Sequence, residues 1–139
     1  TTYNKHLYMN WHYSKKEIKE LSDIPEGCIG FVYIITKSDG SYYVGKKSIY
    51  STVKLKPLKG ERKKRVVTKE SNWKVYMSSN KDVQKWVDVD KEILHWCYTK
   101  IELTYYENKA LYCLGVLEDE NSMNGNISGK IYKDSILKK

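Results

Sequence analysis

The sequence predicts a small α+β domain with a short, mainly antiparallel three-stranded sheet flanked by helices. Three observations carry that prediction. Residues 30–36 and 41–45 are β-branched and aromatic runs on either side of an Asp39-Gly40 turn, the pattern of a β-hairpin. Residues 92–98 form a third run of the same kind. Residues 101–117 place Leu103, Tyr106, Ala110, Cys113, Leu114 and Leu117 at spacings of three and four, as one face of the longest helix.

At 139 residues, 40% hydrophobic and 13% aromatic, the chain has the size and apolar content of one packed domain, and its composition is unlike that of a disordered tail. No run approaches the roughly 18 apolar residues of a spanning helix, and the polar start lacks the features of a secretory signal. These features predict a cytoplasmic protein without a membrane partner. Cys28, Cys97 and Cys113 are odd in number and lack CxxC spacing, so buried reduced thiols are expected in place of a disulfide framework or zinc knuckle.

Along the chain, Ser14-Lys-Lys-Glu17 has capping-box spacing ahead of Ile18 and Leu21, which predicts a short helix over 15–22 before Pro25. Residues 1–13, with several tyrosines and Trp11, read as an arm packed on the body, and 1–28 as an N-terminal unit. The core follows over 29–117, with a basic insert at 54–69. Beyond the insert, Trp73, Tyr76 and Met77 stand at helical spacing, and Ser79-Asn-Lys-Asp82 caps a second short helix presenting Val83, Trp86 and Val87. The polar tail, 118–139, carries Asn121, Asn124 and Asn126 and is expected to wrap the surface. There is no internal repeat.

The net charge of +8 is concentrated in one segment. Lys54, Lys56, Lys59, Arg62, Lys63, Lys64, Arg65 and Lys69 face the single acid Glu61, and both arginines of the chain are among them. A block of one sign resists its own compaction and calls for an anionic partner such as a phosphate backbone. Pro57, Gly60 and the lack of apolar periodicity exclude the amphipathic helix that a membrane surface would require.

Hairpin register decides whether Tyr33 and Tyr43 can cooperate. A two-residue Asp39-Gly40 turn pairs Tyr43 with Thr36 and points it away from Tyr33. A three-residue Ser38-Asp39-Gly40 loop, with glycine at the left-handed bulge position, pairs Tyr43 with Ile35 and puts both phenols on one face; this is the predicted register. By themselves two phenols on one face read as amphipathic cross-strand packing partners, and a catalytic role needs further evidence. Glu107 falls in a stripe with Leu103, Leu111 and Leu114 at spacings of four, four and three, where a carboxylate meets apolar neighbours and needs a partner. A structural ion pair and a hard cation such as Mg²⁺ both satisfy that need, and a single acid so placed points to one ion. His6, His12 and His95 show no metal-ligand spacing, and the chain has no glycine-rich phosphate loop or nucleophile elbow.

The string Phe31-Val32-Tyr33, followed ten residues on by Tyr43-Val44-Gly45, with Glu107 in a later helix and Asn126 or Asn124 beyond it, resembles the GIY-YIG nuclease signature. Pro25 to Tyr33, Tyr43 to Lys47, Glu70 to Trp73 and Met77 to Ser79 extend the likeness to the free-standing, homing-type endonucleases of tailed phages. The resemblance covers about residues 25–127. It implies a GIY-YIG-like fold in which Tyr33 acts as or beside the general base, and Tyr43 contacts the scissile phosphate or the metal-bound water. Glu107 is then the one protein ligand of a single Mg²⁺ or Mn²⁺, and Asn126 holds the site together. It also implies host-cell cytoplasm as the location of a phage-encoded chain.

The sequence departs from the family at two positions. Phe31 replaces the first glycine, and Val53 stands where the family has an arginine, so Lys46 and Arg65, or else Arg62, are expected to supply that charge. Lys47 and Tyr76 join the basic insert as expected DNA contacts. The implied activity is metal-dependent hydrolysis of double-stranded DNA by a monomer or homodimer. A non-catalytic DNA-binding module of the same fold and an RNA substrate are the alternatives.

Overall fold

A computed structural model describes residues 10–137. Its centre is the hairpin of β3 (Gly30–Lys37) and β4 (Tyr42–Ser48), in which Ile35 pairs with Tyr43 and Tyr33 with Gly45. The loop is the three-residue one. Lys37 N–H donates to the Ser41 carbonyl at 2.7 Å, Gly40 N–H donates to the Lys37 carbonyl at 2.9 Å, and Gly40 takes φ +96° at the bulge. On the other flank of β3 runs β7 (Val89–Cys97), antiparallel, with a register shift between Val32 and Tyr33.

The sheet has five strands where the sequence predicts three, in the order β2-β1-β7-β3-β4. The additional pair comes from a segment expected to be helical. β1 (Trp11–Tyr13) runs parallel to β7, and β2 (Lys16–Ile18) turns back on it through Ser14 and Lys15, both left-handed at φ 47° and 70°. Burial overrides the capping-box spacing: directly opposed Trp11 and Ile18 both enter the core, which the pleat of a strand pair allows. A reciprocal capping box does form six residues later, between Glu20 and Asp23, around a single 3₁₀ turn. The arm before residue 10, including His6, lies outside the described residues.

The sheet separates two cores. On one face Trp11, Phe31, Tyr33, Ile35, Trp73, Val83 and Trp96 make a largely aromatic layer. It is covered by a 3₁₀ turn (Trp73–Val75) and by α1 (Lys81–Gln84), whose cap is Asn80, accepting from Asp82 N–H and Val83 N–H. The helical spacing at 73–77 produces only that 3₁₀ turn, after which Tyr76 is extended. On the other face α2 (Lys100–Cys113) lays Leu103 and Leu111 on Val32, Val44 and Cys97. It ends short of 117 because Gly115, at φ +61°, closes a Schellman motif: Val116 N–H reaches the Leu111 carbonyl and Gly115 N–H that of Tyr112. Leu114 therefore leaves the stripe and is exposed, as is Cys113; all three cysteines are free and the other two are buried. No described helix is long and apolar enough to cross a membrane.

Residues 54–69 lie in a separate antiparallel ribbon, β5 (Tyr50–Leu55) and β6 (Arg65–Glu70), attached to the body at its base. There Ser71 N–H donates to the Ile49 carbonyl, and Ser71 Oγ to that of Ser48. The tail adds a short pair, β8 (Asn126–Ile127) and β9 (Ile131–Tyr132), then α3 (Lys133–Leu137).

Lys91 sits within the aromatic layer, between Ile35 of β3 and Trp11 of β1. It is fully buried, and its Nζ lies 4.3 Å from the centre of a Trp11 ring and has no hydrogen-bond partner among the described residues. Burial lowers its pKa from 10.5 to about 7. The unfolded chain therefore holds a proton that the folded chain gives up, and stability present at high pH is lost as the pH falls toward 7. Raising the pH from about 7 to about 9 is expected to increase unfolding free energy by up to about 2 kcal/mol, read by denaturant titration, and Lys91→Met should remove that increment. An equal pH response in both proteins would show that Lys91 does not titrate in this way.

Candidate active site

The β3–β4 register brings the Tyr33 ring across Gly45. A Cβ at Gly45 would stand 2.5 Å from the Tyr33 hydroxyl, so a glycine is what lets the phenol pass over the strand. Tyr43, two residues earlier on the same face of β4, puts its ring 6.5 Å from that of Tyr33. Tyr76 packs edge-on at 6.1 Å from Tyr33, and the Lys47 ammonium caps the Tyr76 ring at 4.1 Å. The Tyr43 hydroxyl lies 3.4 Å from Ser79 Oγ. Three phenols thus gather at the free edge of the sheet.

Glu107 approaches the same edge from α2, on the opposite face. It is half-buried, makes no ion pair or hydrogen bond among the described residues, and burial raises its pKa against the opposing pull of Lys46. Lys46 Nζ donates to Thr104 Oγ1 at 3.2 Å, which holds the ammonium on the α2 side. The pKa of Tyr33 is driven far above the ordinary phenol value, first by burial and then by Tyr76, Tyr43 and the charge of Glu107. Tyr76 is raised as well, chiefly by burial. Successive residues of β4 alternate sides, so Lys46 faces α2 while Lys47 faces Tyr76. Between them runs a cleft of about 480 Å³ lined by Lys46, Lys47, Ser48, Tyr76, Lys100, Leu103 and Thr104, with three lysines and no acid.

Tail residues 121–124 occupy the rest of the β4 edge. Tyr42 N–H donates to the Asn121 carbonyl and Met123 N–H to that of Tyr42. The buried Asn124 side chain accepts from Val44 N–H at 2.9 Å and donates to the Val44 carbonyl at 2.8 Å, acting as one rung of a missing strand. Asn126, the asparagine the sequence assigns to the site, is exposed and caps its own turn by accepting from Gly129 N–H. The two differ because the tail meets Val44 two residues before it turns outward.

Of the expected cations, Lys46 and Lys47 reach the cluster. Arg65 pairs with Leu55 at the distal end of the ribbon, its Nε donating to the Lys56 carbonyl, and Arg62 is exposed in the ribbon tip. Neither arginine is brought to the tyrosines. Val53 faces Val67 within the ribbon. Lys100 and Thr104, one turn apart on α2, escape a sequence reading because nothing in the chain shows which turn of the helix flanks β4. One further set of ligand atoms is assembled by the fold alone: His12 of β1 with Asp90 and Glu92 of β7, His12 Nε2 lying 2.9 Å from Asp90. They lie beyond β3 from the β4 edge and away from the tyrosines.

Residues 11–131 match the family model described as "Putative endonuclease segE, GIY-YIG domain". The chain belongs to this GIY-YIG family. No curated protein and no solved structure matches it. Within the family signature, Phe31 takes the place of the first glycine because the position faces the aromatic layer, 5.0 Å from a Trp11 ring and 6.0 Å from Trp96.

Two stability measurements follow. Gly45→Ala should displace the Tyr33 ring and cost about 1–3 kcal/mol in denaturant unfolding; an unchanged midpoint would mean that the ring passes elsewhere. Asn124→Ala should cost about 1–3 kcal/mol by orphaning two backbone groups of Val44, while Asn126→Ala stays within about 1 kcal/mol of wild type. The reverse ranking would contradict the tail's placement.

Proposed function

We propose that this protein is an endonuclease that hydrolyses DNA phosphodiester bonds with one divalent ion held by Glu107. The observation that carries this reading is the gathering of Tyr33, Tyr43 and Tyr76 with Lys46 and Lys47 at one open strand edge, with Glu107 on the helix that flanks it and its charge felt by Tyr33. A half-buried carboxylate without a protein partner is an all-oxygen donor suited to a hard cation, Mg²⁺ or Mn²⁺. When bound, such an ion supplies Lewis-acid polarisation at the phosphate and lowers the pKa of water.

The remaining chemistry belongs to the side chains. The lysines of the cleft, Lys46, Lys47 and Lys100, seat the phosphate backbone and offset the charge that develops on the equatorial oxygens. Tyr43 contacts the scissile phosphate and is steadied by Ser79. Tyr33 takes the proton of the attacking water. In the free protein it holds its own proton firmly, so its role as a base depends on the cationic charge that assembles with substrate. Lys46, whose ammonium acts on the Glu107 carboxylate through space without pairing with it, supplies the charge that the sequence allots to Lys46 or Arg65. The ribbon, with Lys54, Lys56, Lys59, Arg62, Lys63, Lys64, Arg65 and Lys69, and Tyr76 beside the cleft bind the duplex.

Supercoiled plasmid incubated with Mg²⁺ should be converted to nicked or linear product, and EDTA should prevent this. Glu107→Ala should lose cleavage, and Tyr33→Phe should lower it by roughly 10²-fold or more while leaving DNA binding in place. Because Tyr33 holds its proton so firmly, the wild-type rate should climb with pH across the neutral and mildly alkaline range. Full activity in Glu107→Ala would remove the ion from the mechanism. Binding without cleavage under all conditions would instead identify a DNA-binding module.

A further inference from the structure

The β5–β6 ribbon is exposed on nearly every residue and touches the body at its base. An isolated two-stranded ribbon is marginal in water, and this one buries no apolar face of its own. Its cross-strand register defines two faces. One carries Tyr50, Thr52 and Lys54 opposite Glu70, Thr68 and Val66; the other carries Ser51, Val53 and Leu55 opposite Lys69, Val67 and Arg65. Each face therefore ends distally in one cation, Lys54 or Arg65, beside exposed apolar and threonine side chains. Val66 is 61% exposed, Val67 43% and Leu55 38%.

A clamp that only neutralised phosphates would need the lysines and would have no use for exposed valines and a leucine. From this combination we infer that the ribbon enters the major groove of duplex DNA and is the element that reads bases. The inference rests on DNA being the substrate, as proposed above. Six residues per strand reach roughly 20 Å, and two strands about 5 Å apart fit a groove roughly 12 Å wide and 8.5 Å deep, which admits a two-stranded ribbon. Threonine and valine side chains match thymine methyl groups, and the Arg65 guanidinium matches the N7 and O6 acceptors of guanine. The tip residues 56–64, with five basic side chains against Glu61, meet the flanking phosphates. An A-form RNA duplex has a major groove too narrow for the same entry.

The test uses the full chain in EDTA, where binding is measured without cleavage, on a fluorescent mixed-sequence duplex at fixed salt. Methyl green, which fills the major groove, should weaken binding by roughly tenfold or more, and distamycin, which fills the minor groove, should change it less than about twofold. The double variant Lys54→Ala/Arg65→Ala, at two exposed positions, should also lose roughly tenfold, and an RNA duplex should bind at least about tenfold more weakly. Displacement by distamycin but not by methyl green, equal affinity for the RNA duplex, or an unchanged double variant would each overturn groove entry. Plasmid cleavage with Mg²⁺ is scored on the same preparation. A protein that cuts yet ignores methyl green loses this inference and keeps the nuclease reading; one that is displaced by methyl green yet never cuts does the reverse.

Discussion

The passage of the Tyr33 ring over Gly45 is the contact on which the site depends. A β-strand presents a side chain on each face at every second residue, and β4 would present one under the phenol if position 45 held anything larger than hydrogen. Because it does not, a tyrosine rooted in the buried strand β3 carries its hydroxyl out to the edge of the sheet. That path explains how one ring can be almost wholly buried and still take part in a surface cluster with Tyr43 and Tyr76. Burial then makes the phenol a reluctant acid, with its proton held until charge is brought to it.

The edge of β4 is divided among three uses. Tail residues close the Tyr42 and Val44 portion, Ser71 takes the carbonyl of Ser48 at the base of the ribbon, and the stretch between them bears Lys46 and Lys47. Strand alternation sends those two cations to opposite faces, one to α2 and Glu107 and one to Tyr76. A sheet edge is ordinarily a hazard for pairing with other chains. Here the open part is guarded by like charges, and the same charges make it a seat for an anion.

Where sequence reasoning succeeded, the controlling forces were local. The Ser38-Asp39-Gly40 loop sets the hairpin register through the backbone freedom of one glycine, and the helix bearing Glu107 shows in its three- and four-residue spacing. Where it failed, burial of large side chains outweighed local preference. Ser14 to Glu17 has the spacing of a helix cap, yet opposed Trp11 and Ile18 gain more by entering the core as a strand pair. At 73–77 the indole N–H of Trp11 donates to the Trp73 carbonyl, and a regular helix gives way to one 3₁₀ turn. The basic block was visible as charge, but its form as a ribbon depends on cross-strand pairs such as Val53–Val67, whose partners stand on either side of the charged tip.

By itself the sequence determined that two tyrosines share a hairpin face, that an acid lies on an otherwise apolar helix stripe, and that nearly all excess charge sits in one segment. Each of these follows from spacing or counting within a short window. Only the tertiary structure decided that Asn124 and not Asn126 completes the β4 edge, and that Lys46 is held against α2 while Arg65 is kept at the far end of the ribbon. Asn124 and Val44 are 80 residues apart in sequence. Contacts at that range are set by how the cores on the two faces of the sheet pack together, and no window of sequence carries that information.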